Sequence, residues 1–143
     1  MQTIVGAPDY ISFSETSLLG SLTSSEYRPN VLVVCHDARI DSVVGQLQDH
    51  CMSPGHICHV PGRLDLPEIE GGTLIVHDVA ALTIDQQTAL GDWIERGRDR
   101  VQVLSVTRAP LLSLVQDGRF LEGLFYRLNT LTVRAKRIYG SWV

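Results

Sequence analysis

The chain has 143 residues, and 12 basic against 16 acidic side chains leave it a formal charge of −4; with 44% hydrophobic and 20% charged residues it suits one globular domain around one core. Eleven of the basic residues are arginine and the single lysine is Lys136, which excludes any mechanism that needs an interior lysine, and without a dense Lys/Arg tract there is no electrostatic footprint for direct nucleic-acid binding. No apolar run approaches the roughly 20 residues of a membrane helix, and the first residues lack the layout of a secretory signal, so a cytoplasmic protein with no membrane partner is expected.

In chain order, residues 12–25 predict a helix around Leu18, Leu19 and Leu22, ended by a polar linker over residues 24–30. Residues 30–35 are a short β-branched apolar run, the pattern of a strand covered on both faces. Residues 39–50 then place Ile40, Val43, Val44 and Leu47 at helical spacing. Residues 56–60 and 73–77 predict two more strands. Residues 84–96 predict an amphipathic helix with Thr83 as N-cap and Gly97 as C-cap. A buried-type strand follows at 101–106, then a short helix opened by Pro110 and running to Gln116, a helix over 120–128 and a last strand at 130–133. Five strands with helices between them predict a three-layer α/β domain with a parallel sheet, a single domain over residues 1–143.

Ligands of parallel sheets sit beyond the C-terminal strand ends, which here carry Cys35-His36-Asp37, His77-Asp78 and Thr107-Arg108. A phosphate-cradling loop after the first of these strands would need glycines and a lysine. Residues 35–41 hold no glycine and two carboxylates, Asp37 and Asp41, which repel a polyphosphate.

From Gly71 onward the sequence resembles the AAA+ domain of sigma-54-dependent transcriptional activators. The run Gly71-Gly72-Thr73-Leu74-Ile75-Val76-His77-Asp78 matches that family's GGTLFLDE, Gln86-Gln87-Thr88-Ala89-Leu90 its L-x-x-Q-x-x-L helix, and Asp117-Gly118-Arg119-Phe120 through Leu124-Phe125-Tyr126-Arg127-Leu128-Asn129 its EGRFREDLYYRLN. Ile4-Val5-Gly6 is similar to the family's opening. The resemblance implies a P-loop NTPase (AAA+) fold with a five-stranded parallel sheet, and ATP with Mg²⁺ as the family's cofactors.

The departures decide the expected function. The nucleotide loop corresponds to residues 35–41, with Cys35, Ala38 and Asp41 at degenerate positions and Asp41 where the lysine belongs. His77 replaces the metal-binding aspartate and Asp78 the water-activating glutamate, a shorter carboxylate. Arg108 occupies the phosphate-sensing position. Of the two arginines offered across the subunit boundary, the first position is Leu121 and the second is Arg127. The sequence has no GAFTGA, the family's sigma-54 grip, and the expected domain lacks the helical lid and the helix-turn-helix. The resemblance therefore implies a non-enzyme with no bound cofactor or metal, acting in transcription regulation through a protein partner, an intact activator being the candidate. Arg119 and Arg127 are its candidate subunit or partner contacts. A monomer or small homo-oligomer is expected, with Ile138-Tyr139 and Trp142-Val143 as candidate contacts.

Three other readings stand beside this one. An ATP-binding or weakly active domain would follow the family label. A cysteine hydrolase would use Cys35 as nucleophile at a strand-to-helix turn and His77 as base, but lacks the small flanking residues of a nucleophile elbow. Structural zinc on His50, Cys51, His56, Cys58 and His59 fits no standard spacing, and a strand there splits Cys58 from His59 onto opposite faces. Three cysteines at irregular spacing predict free thiols.

Overall fold

The continuous apolar runs of the sequence become the strands, and the runs of helical spacing become the helices that cover them. The computed structural model describes residues 10–13, 29–35, 40–51, 55–68, 71–97 and 100–138. Among these, the strands are β1 (Tyr10–Phe13), β2 (Val31–Val34), β3 (Gly55–His59), β4 (Thr73–His77), β5 (Gln102–Thr107) and β6 (Leu131–Ile138). The helices are α1 (Ile40–His50), α2 (Ile84–Gly97), α3 (Leu111–Gln116) and α4 (Glu122–Leu128), with a 3-10 turn at Val79–Ala81.

The sheet order is β1-β6-β2-β5-β4-β3. From β6 across to β3 every neighbouring pair is parallel, as expected. Two corrections concern the N-terminal side. Ser12 and Phe13, expected in a helix, lie in β1, and the rest of that expected helix falls outside the described residues. β6 is also longer than the expected 130–133. Its first half, Leu131 to Arg134, pairs with β2, while Ala135 to Ile138 pairs antiparallel with β1. The Tyr-Ile-Ser-Phe run is aromatic and β-branched, so it fits a pleated edge better than a helix. Local helical spacing downstream gave no sign that β6 would outrun β2 and leave four residues to be paired.

Alternation along the strands builds the two cores. Val31, Val33, Ile75, Leu104, Val106, Val133 and Ala135 face α1, whose Val43, Val44 and Leu47 pack on them. Leu32, Leu74, Val76 and Val103 face the other way, against Leu90 and Trp93 of α2, Leu111 of α3 and Leu124, Phe125 and Leu128 of α4. Every residue of β5 is buried, including its polar ones. This two-sided cover is what a parallel sheet requires.

α2 begins on a reciprocal cap. The Gln86 backbone N–H donates to Thr83 Oγ1 at 3.2 Å, and the Thr83 N–H donates to Gln86 Oε1 at 3.0 Å. One turn in, Gln87 is fully buried and holds three backbone groups. Its Nε2 donates to the carbonyls of Leu82 and Arg119, both at 3.1 Å, and its Oε1 accepts from the Leu121 N–H at 2.8 Å. The loop before α4 is thereby pinned to the first turn of α2. Trp93 does the same for the other flank, its indole N–H donating to the Pro67 carbonyl at 2.8 Å.

Replacing Gln87 by leucine keeps the volume but strands these three backbone groups, two acceptors and one donor. With unsatisfied buried groups costing about 1–3 kcal/mol each and some relief from water, Gln87→Leu should lose about 3 kcal/mol of stability. That corresponds to a fall in Tm of roughly 10 °C by scanning calorimetry. A fall of less than about 2 °C would show that the loop is held by other contacts.

Candidate functional site

β4, β5 and β2 are neighbours in the sheet, so their C-terminal ends form one mouth. Cys35 follows β2 directly. It is fully buried, its N–H donates to the Thr107 carbonyl at 3.0 Å, and its thiol points to the same oxygen at 3.5 Å. Ala38 and its neighbours, residues 36–39, lie outside the described residues. The chain re-enters at α1, which carries Asp41 in its first turn.

Asp41 reaches across to β4. Its Oδ1 lies 2.9 Å from His77 Nε2, while His77 Nδ1 lies 3.2 Å from the Val60 carbonyl. The His77 side chain is only 17% exposed and that of Asp41 is 80% exposed, so the carboxylate lies on the solvent side of the pair. The His59 ring stands against His77 at 5.7 Å between centroids, tilted by 48°.

The next residue forms a second pair. Asp78 has φ 58° and ψ 61°, a left-handed conformation that aspartate tolerates better than most side chains, and its carbonyl accepts the Ala81 N–H to start the 3-10 turn. Its carboxylate is 3.3 Å from the Arg108 guanidinium. Arg108 is aimed by a turn at the end of β5, where Thr107 Oγ1 donates to the Ala109 carbonyl at 2.8 Å and accepts its N–H at 3.1 Å. Beside this pair lies an open depression of about 440 Å³ walled by Ala80, Ala81 and Ala109.

The four side chains singled out at the mouth thus meet two by two, Asp41 with His77 and Asp78 with Arg108. Sequence reading located the positions but not the pairing. Asp41 and His77 are 36 residues apart, and only the parallel order β2-β5-β4 brings α1 over the end of β4. Both pairs have a solvent-exposed member, so each contributes at most about 1 kcal/mol to stability.

The hydrolase reading fails here. A nucleophile must reach its substrate, and Cys35 is sealed in the core; a base must turn a free nitrogen to the nucleophile, and both His77 nitrogens are engaged. Among the described residues, Cys58 and His59 of β3 do not converge either. Cys58 is buried with its thiol donating to the Asp65 carbonyl at 3.3 Å, whereas His59 is exposed on the other face. Among the described residues no group of three or more His, Cys, Asp or Glu side chains could hold a metal ion. All three cysteines are outside disulfides, and burial, with the Asp65 charge adding to it, pushes the Cys58 thiol up to about 11.

The arginines of the C-terminal motif differ. Arg127 on α4 is ion-paired with Glu95 of α2. Arg119 lies in the loop before α4, exposed, with its carbonyl held by Gln87. Leu121 is 37% exposed. Residues 139–143, which include part of the expected self-association tail, lie outside the described residues. No helix among the described residues is long and apolar enough to cross a membrane.

Comparison with known proteins converges on one family. The model of the sigma-54 interaction domain matches residues 49–137. The chain is 30% identical over 84 residues to the DNA-binding transcriptional regulator NtrC of Rhizobium meliloti (strain 1021), covering 51% of this chain and 17% of that protein. It is 32% identical over 77 residues to the HTH-type transcriptional regulatory protein TyrR of Enterobacter agglomerans, covering 46% and 15%. The match thus spans about a sixth of each of these relatives. Solved structures of NtrX from Brucella abortus share the fold, the one in complex with ATP at a TM-score of 0.60 and the one with ADP at 0.62, both at 17% identity. The former alignment covers 82% of this chain and 33% of the other.

The raised Cys58 thiol gives a chemical check on the packing around β3. With its pKa at about 11 against an ordinary 9.0, the thiolate fraction near pH 8 falls roughly 100-fold. Iodoacetamide at pH 8 should leave Cys58 unmodified in the folded protein and label it on unfolding in urea. Labelling of native Cys58 at the rate of an unfolded thiol would contradict this burial.

Proposed function

Because the chain belongs to the sigma-54 interaction domain family, we propose that it is a non-catalytic, AAA+-like member that acts in transcription regulation through contact with another protein. The observation that carries this reading is the mutual pairing of Asp41 with His77 and of Asp78 with Arg108 at the mouth of the sheet. In an active member these positions serve phosphate, metal and water. Here they serve one another.

Charge supports the same reading. A phosphate charge about 4 Å from a lysine gains roughly 1–4 kcal/mol between bulk water and a protein surface, and the same distance to a carboxylate costs as much. Exchanging the lysine for Asp41 therefore disfavours nucleotide by roughly 2–8 kcal/mol, and even the lower figure is about 30-fold in affinity. His77 in place of an aspartate also removes a hard oxygen ligand that Mg²⁺ requires. The partner proposed is an intact sigma-54 activator, and the chain itself is proposed to be a monomer or dimer, because no nucleotide joins neighbouring subunits.

A second reading, an ATP-binding or weakly active domain, draws on the NtrX structures solved with ATP and ADP. Isothermal calorimetry separates the two. With ATP or ADP and Mg²⁺ up to 1 mM, about the range of weak sites, no saturable heat is expected. Micromolar binding would favour the second reading.

Phosphate release in the presence of ATP should equal the buffer background; turnover that Asp78→Ala abolishes would reverse the assignment. Light scattering is expected to give the mass of one or two chains, unchanged by ATP, and a nucleotide-dependent ring would refute the proposal.

A further inference from the structure

The end of the sheet opposite the mouth, where β4 and β5 begin, carries a cleft of its own. Residues 66–68 lead towards β4, and Arg100 stands just before β5. Between these residues and the last turn of α2 lies a space of about 360 Å³. Trp93, Arg96, Gly97 and Arg100 line it at the i, i+3, i+4, i+7 spacing of one helix face, carried on just past the helix end. Leu66, Pro67 and Glu68 supply the rest of the wall.

The two parts of the wall are tied together. The Trp93 indole N–H donates to the Pro67 carbonyl at 2.8 Å, which clamps the segment before β4 onto α2. Arg100 Nη2 donates to the Arg96 carbonyl at 3.1 Å, and its Nε points to the Gly97 carbonyl at 3.5 Å. The guanidinium is thus fixed at the helix end by one edge. The ion pairs Arg63–Asp65, Arg108–Asp78 and Arg127–Glu95 take in neither Arg96 nor Glu68, and those two side chains make no polar contact with the described residues. Gly97 has an ordinary φ, and a Cβ there would meet only Val101 Cγ2, at 3.9 Å. The fold does not require glycine at this position, and its lack of a side chain leaves the cleft open.

We propose that this cleft is a binding site for a small monocarboxylate with an apolar body. Two guanidinium groups against one carboxylate leave its walls a charge of +1, and guanidinium N–H groups match the two oxygens of a carboxylate. Leu66, Pro67 and the Trp93 ring offer an apolar wall to the rest of the ligand, and a few polar groups over such a wall are the usual make-up of a small-molecule site. Glu68 opposes a second negative charge, so dicarboxylates and phosphate dianions are poor ligands. The cleft shares no residue with the mouth, and this site stands or falls apart from the proposed function.

The test uses the whole chain carrying Trp142→Phe, which leaves Trp93 as the one tryptophan, and follows its indole N–H by NMR. Cyclohexanecarboxylate is the probe, and it should move this signal saturably with a Kd of about 1 mM, the range of a ligand of its size. Cyclohexanecarboxamide, of the same shape without the charge, should bind about 10-fold more weakly, and 1,4-cyclohexanedicarboxylate should also bind more weakly than the probe. Arg96→Gln should weaken the probe about fivefold and melt with the parent, since it breaks no contact with the described residues. Glu68→Gln should tighten the probe about threefold and bring the dicarboxylate up to its level. Gly97→Leu should fill the cleft and abolish binding without lowering the melting temperature, because leucine is the better helix former.

The absence of a saturable shift up to about 50 mM probe, well above the range of a weak site, overturns the proposal and leaves the proposed function standing. Equal affinity for the amide, or Arg96→Gln binding like the parent, overturns the carboxylate chemistry. Weaker binding by Glu68→Gln overturns the charge assignment. A shift that persists in Gly97→Leu puts the probe elsewhere and overturns the cleft as its site.

Discussion

A parallel sheet has no face to spare for water, and this constraint organises the molecule. β2, β4 and β5 are apolar on both faces because α1 covers one and α2, α3 and α4 cover the other. Polar and charged side chains that do chemistry are left the rim where the strands end. The same topology that buries Val31, Leu74 and Leu104 therefore puts the residues after β2, β4 and β5 side by side. Any change in chemistry at that rim can occur without touching the core.

The side chains at the rim match one another: the Asp41 carboxylate on α1 and the His77 imidazole on β4 make a hydrogen-bonded pair. Arg108 does the same for Asp78 across β5 and β4. Because the pairs are exposed, their worth to folding is small beside the two cores. They satisfy one another's polar groups at the rim.

Much of this was legible in the sequence, for identifiable reasons. β4 was located to the residue because Gly71-Gly72 precedes five unbroken strand formers and Asp78 breaks them. α2 was located by its cap and its period, and Thr83 does cap it through Gln86. β1 was not legible, since four residues antiparallel to the far half of β6 are specified by a partner about 125 positions away rather than by local pattern. The pairing at the mouth was hidden for the same reason. The clamp by Gln87 was present only as a motif letter; a glutamine at a buried helical position was the one sequence sign that its amide must find backbone partners.

Gln87 also explains how the C-terminal motif holds its shape independently of the mouth. The loop over residues 117–121 gets its geometry from three internal contacts: Phe120 in the core, the Leu114 carbonyl, and the Gln87 amide. A surface set by buried hydrogen bonds stays ordered when the neighbouring site is altered, because buried groups tolerate no unpaired alternative whereas exposed ions do. The geometry of this loop and the ion pairs at the rim therefore have separate physical causes.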